Sequence, residues 1–80
     1  MTYSSAMTLL RERLVDDVIE RYVCWREACA GVDSAYAAWH AARRDERRLS
    51  GAAYVAALDR EQHAALVYSQ TVERVARSAA

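Results

Sequence analysis

The sequence predicts an all-α protein: an antiparallel two-helix hairpin with a long first helix, dimerising into a four-helix bundle. Three observations carry that expectation. Large side chains recur with alternating spacings of three and four at Val15, Val18, Tyr22, Trp25, Cys29, Val32, Tyr36 and Trp39, which is the pattern of a helical packing seam. A second series of the same spacing runs through Gly51, Tyr54, Leu58, Glu61, Ala65, Tyr68, Val72, Val75 and Ala79. The 80 residues include no Pro and only 2 Gly, so helix breakers are scarce.

The first helix is expected over about 5–42. Ser4 or Ser5 is its expected N-cap, with Glu12, Asp16, Asp17 and Glu20 placing acid toward the positive end of the helix dipole. Gly31, followed by Asp33 and Ser34, is a candidate break that would give three helices. The seam argues against it, because Cys29, Val32 and Tyr36 keep their phase across the glycine. One interior Gly costs only about 1 kcal/mol relative to Ala.

The seam fails after Trp39, where its next two positions are Arg43 and Glu46. A turn is expected over about 43–50, since Arg43 with Arg47 and Arg44 with Arg48 would set like charges four apart in a helix. The second helix is expected over about 51–78, capped by Asp45 or Ser50. Antiparallel pairing about Asp45 sets Trp39 against Gly51, Tyr36 against Tyr54, Val32 against Leu58, Cys29 against Glu61, Trp25 against Ala65 and Tyr22 against Tyr68. Each Trp then faces a small residue, as interdigitating layers require. A turn one heptad later would set Tyr36 against Glu61 and shorten the pairing.

A single domain of this length has a marginal core unless a second chain adds surface. Leu10, Leu14, Ile19 and Val23 on the first helix, with Val55 and Leu66 on the second, are left over by the hairpin seam and form the candidate dimer face. The expected partner is a second copy, with room for a different protein partner. Formal net charge is zero, which argues against a nucleic-acid module. No apolar run is long enough to span a membrane, and the first residues lack the basic-then-apolar order of a secretory signal, so the expected location is cytoplasmic.

No enzyme is expected, and no catalytic residue, cofactor or metal site is assigned. Zinc-type ligand pairs are absent, and Glu61-Gln62-His63 has the wrong spacing for a di-iron helix motif. Cys24 and Cys29 lie roughly 140° apart around one helix and cannot face each other within it. Phosphate loops, serine elbows and dinucleotide fingerprints are also lacking. Glu61 is the buried polar candidate, being the one charge in either seam, where Tyr hydroxyls or an Arg would have to satisfy it. Arg43, Arg44, Arg47 and Arg48 with Trp39 form the candidate binding patch.

Two Ala-rich antiparallel helices with Trp39 near the turn resemble the WXG100 family of small secreted helical hairpins. The resemblance is one of shape, because Trp39-His40-Ala41 lacks the Gly of the family's Trp-x-Gly turn and no Tyr here is followed four residues later by Asp or Glu. The segment Tyr36 to Trp39 and the stretch from Ala53 to Glu61 resemble short uncharacterised actinobacterial proteins, which implies a bacterial helical protein and no particular activity. The expected function is a non-enzymatic interaction or regulatory module. The alternative is a ligand or nucleic-acid binder using the Arg-rich turn.

Overall fold

The structure, a computed structural model, describes residues 3–79. Two helices, α1 (Tyr3–Ala41) and α2 (Arg47–Ala79), fold back on each other into a rod of 65 × 16 × 13 Å. α1 alone is about 58 Å long at 1.5 Å per residue, so it sets the length of the molecule.

Gly31 does not interrupt α1. Its backbone stays in the ordinary right-handed region, and a methyl group added there would meet nothing within 4 Å. The N-terminal expectation needs correction. α1 already contains Ser4 and Ser5, so neither caps it, and the first turn holds no acidic residue. Glu12 stands too far along the helix to feel a dipole effect that fades within one turn.

The turn is shorter than expected, and α2 begins at Arg47. Three backbone bonds close the corner: Ala42 N–H donates to Trp39 C=O (3.2 Å), Glu46 N–H to Arg43 C=O (2.9 Å) and Ser50 N–H to Glu46 C=O (3.0 Å). Only Arg47 and Arg48 enter the helix, while Arg43 and Arg44 remain outside it. The like-charged pairs four apart therefore never form within one helix, and their repulsion does not oppose the early start.

The pairing register centres on Asp45. Gly51 lies against the Trp39 indole, its virtual Cβ 3.4 Å from Nε1. Tyr36 meets Tyr54 with centroids 5.5 Å apart, and Tyr22 meets Tyr68 at 5.7 Å. The alternative register one heptad later is not the one adopted.

Around its own axis, however, each helix is turned by about half a residue step from the expected seam, roughly 50° in a heptad frame, so that every second seam position keeps its place and the others shift by one residue. On α1 the side facing α2 carries Met7, Leu14, Val18, Trp25, Ala28, Val32, Ala35 and Trp39, continued by Ala42 just past the helix, all half-buried; of the other expected seam positions Cys29 is half-buried and Val15, Tyr22 and Tyr36 are exposed. On α2 the inner stripe is Ser50, Tyr54, Ala57, Glu61, Ala64, Tyr68, Thr71, Val75 and Ser78. Ala57 and Thr71 are the buried residues, 1% and 4% exposed, while their neighbours Leu58 and Val72 lie outside. Ala79, the last expected seam position, falls outside the residues whose side chains are described.

The seam thus alternates small residues with Trp, Tyr and aliphatic ones, and further large residues flank it. Small side chains let helix axes approach closely, and the Trp and Tyr rings fill the layers between.

Candidate functional site

Two aromatic clusters lie along the seam, related by a shift of two heptads on each helix. In the first, Trp25 stacks on Tyr68 (5.6 Å, 12° between planes), and Tyr22 meets both rings edge-on or tilted. In the second, Trp39 stacks on Tyr54 (5.6 Å, 16°), with Tyr36 edge-on to both and His40 stacked on Tyr36.

The clusters differ in the residue seven positions before the stacked Tyr. At the first it is Glu61, whose Oε2 accepts a hydrogen bond from Trp25 Nε1 at 3.1 Å. At the second it is Arg47, whose guanidinium sits 5.5 Å from the centre of the Trp39 ring, a cation–π distance. Glu61 is accordingly half-buried and satisfied by an indole N–H, a donor that pairing of level residues does not bring forward because Trp25 and Glu61 are one turn out of level.

The Arg-rich turn is open to solvent, with Arg43, Arg44, Arg47 and Arg48 all exposed. Arg47 is held over Trp39, so the patch is a ring-anchored Arg beside three solvated ones, accompanied by Asp45 and Glu46.

The six candidate dimer-face residues do not share one surface. Leu14 is half-buried on the stripe toward α2. Leu10, Ile19, Val23, Val55 and Leu66 are exposed, Ile19 at 56% and Val55 at 57%. In an antiparallel pair, positions one step outside the seam in the same rotational sense fall on the same side of the hairpin. Val15, Tyr22 and Tyr36 therefore share a side with Leu58 and Val72, and Ile19 and Val55 extend it. The opposite side carries Leu10, Asp17, Cys24 and Gly31 with Arg60, Val67 and Arg74. An inter-helix groove there, about 130 Å³, is lined by Arg21, Cys24, His63, Ala64 and Val67.

That groove is smaller than the roughly 300 Å³ at which small-molecule pockets begin. A wider depression of about 350 Å³ lies along α2 alone, lined by Asp59, Gln62, His63 and Leu66. Among the described residues no group of three or more His, Cys, Asp or Glu side chains is placed to hold a metal ion. Cys24 is exposed and Cys29 half-buried, both as free thiols. No described helix is long and apolar enough to cross a membrane.

What sequence reasoning missed is the inward stripe of small residues. Ala28, Ala35 and Ala42 recur every seven residues, as do Ala57 and Ala64, and interleaved with Trp25, Val32 and Trp39 or with Tyr54, Glu61 and Tyr68 they make a second three-four series, which was the available signal. Comparison with family models, with curated proteins and with solved structures finds no match to this chain.

Proposed function

We propose that this chain is a non-enzymatic helical interaction module that self-associates, two hairpins packing into a four-helix bundle. One observation carries the reading: with Trp and Tyr rings already in the seam, the hairpin fully buries only the small residues Ala57 and Thr71 and leaves a further set of large residues exposed. Ala57 and Thr71 are buried while Ile19 and Val55 are more than half exposed and Leu58 and Val72 are 40% exposed. A chain that worked alone would place the large residues inside, where each gains about 1.5–3 kcal/mol from burial.

The surface area supports the same reading. The chain exposes 6392 Å², against roughly 4900 Å² for a compact monomer of its 9.0 kDa mass. The excess of about 1500 Å² per chain is the amount that an obligate dimer interface buries on each partner.

Solution mass against concentration, by light scattering coupled to size exclusion, tests the proposal. The expected result is a species of twice the 9.0 kDa chain mass that persists into the low micromolar range. A helical monomer across that range would overturn it.

A further inference from the structure

We infer that the second copy packs on one particular side of the hairpin, the side bearing Ile19, Tyr22, Tyr36, Val55, Leu58 and Val72, and that it lies with its turn over the open end of the first copy. This rests on the self-association proposed above and specifies its face and polarity.

The face follows from where the large residues are. All six named residues are exposed and occupy the same flank of the two helices. That flank also carries Arg26 and Asp33, exposed on the helical line of Ile19 and opposite in sign, whereas the other flank carries Asp17, Arg60 and Arg74 with the small residues Gly31, Ala38 and Ala53. Burying the latter flank would strand charges without partners, which costs more than the apolar contact returns. Two exposed Tyr rings in the apolar side add the residue type most enriched at the centres of protein interfaces.

The polarity follows from the charges at the two ends. Near the open end the charged residues that rim the apolar side are Glu12, Asp16 and Glu73, all exposed and all acidic. At the other end the turn supplies Arg43, Arg44 and Arg48, exposed, against Asp45 and Glu46. A two-fold axis perpendicular to the rod lays each turn on the partner's acidic rim. An axis along the rod would gather both arginine-rich turns at one end and both acidic rims at the other, where like charges repel.

Matching Arg43 and Arg44 to Glu12 and Asp16 puts the axis near Ala28 and Cys29, with α1 crossing α1 of the partner. The midpoint of the apolar run from Val15 to Tyr36 falls at Trp25 and Arg26, less than one helical turn away. Two independent features, apolar surface and charge, therefore give the same register within about 5 Å.

Two measurements on the full chain test the inference. Solution mass is compared for Ile19→Glu and Val55→Glu, on the proposed face, and for Leu10→Glu and Leu49→Glu, 50% and 79% exposed but off it. The first pair is expected to weaken the dimer by about a hundredfold or more, the second pair to leave it intact, with circular dichroism confirming helicity throughout.

Polarity is read with a nitroxide spin label on Leu49→Cys in a chain also carrying Cys24→Ser and Cys29→Ser. Leu49 lies at the turn, 79% exposed. The antiparallel arrangement separates the two labels by about 40 Å along the rod, and a distance of roughly 20 Å or less would overturn it. A wild-type monomer would sink self-association itself. A wild-type dimer that tolerates Ile19→Glu and Val55→Glu would leave self-association standing and overturn the face assigned here.

Discussion

Trp25 and Glu61 meet across the hairpin one turn out of level, the indole N–H donating to the carboxylate at 3.1 Å while the same indole stacks on Tyr68. Glu61 is thereby tied to the ring that fills the layer beside it. Trp25→Phe keeps most of the stacking surface and removes the donor, and is expected to lower stability by about 1–2 kcal/mol, because a half-buried carboxylate loses its partner. Glu61→Gln keeps an acceptor oxygen and should lose less than about 1 kcal/mol. The double variant separates the two: a coupling free energy near zero in denaturant titrations would show that the bond contributes nothing.

Gly31 sits in the middle of a 39-residue helix with open space where a methyl group would go. Gly31→Ala is expected to stabilise the chain by about 0.5–1 kcal/mol, through helix propensity and a less flexible unfolded chain. Thermal unfolding should move up by several degrees for a domain of this size. Gly51 is the contrast, since its missing side chain is occupied by the Trp39 indole. Gly51→Leu should push that ring off Tyr54 and destabilise by about 1–3 kcal/mol.

The pairing of the helices was legible in the sequence because it depends on rings too large to be placed twice. Trp39 with Gly51, Tyr36 with Tyr54 and Tyr22 with Tyr68 fix the register, and all three pairs are in contact. The rotation of each helix was not legible, since two adjacent stripes share one spacing. Leu58 outranks Ala57 on hydropathy, yet Ala57 takes the seam because only a small residue fits where backbones approach closely. The start of α2 was missed for a different reason. Arg47 reads as a like charge to be avoided until its guanidinium is seen lying over Trp39.

Arg47 and Arg48 are adjacent in the first turn of α2, and only Arg47 lies over a ring. Arg47→Ala is expected to lower stability by about 0.5–1 kcal/mol, the worth of an exposed cation–π contact. Arg48→Ala should stay within about 0.5 kcal/mol of the parent, as surface substitutions away from specific contacts do. Equal losses at both positions, measured by chemical unfolding, would assign the effect to turn charge and not to the ring.

Thr71 is 4% exposed, and its hydroxyl donates to the Val67 carbonyl one turn back at 2.8 Å. That bond satisfies the hydroxyl without tying the helices together. Thr71→Val has nearly the same shape and leaves no polar group unpaired, since the Val67 carbonyl is within the helix. It is expected to be neutral or to stabilise by up to about 1 kcal/mol. A loss above about 1 kcal/mol would mean that the hydroxyl has a second role.

Ala57 and Leu58 are neighbours on α2 with inverted sizes: the small residue is 1% exposed and the large one faces outward. Ala57→Leu adds a side chain where the helices touch, with no free volume to receive it, so it should separate them and destabilise by about 3 kcal/mol or more. Leu58→Ala shortens a side chain that is 40% exposed in the hairpin. Its effect on unfolding should therefore depend on protein concentration, being smaller at dilutions where the chain is monomeric and larger where copies associate. Urea titrations of both variants at two concentrations distinguish the seam described here from one that uses Leu58. In that second case Leu58→Ala would destabilise equally at every concentration, because the lost contact would be intramolecular.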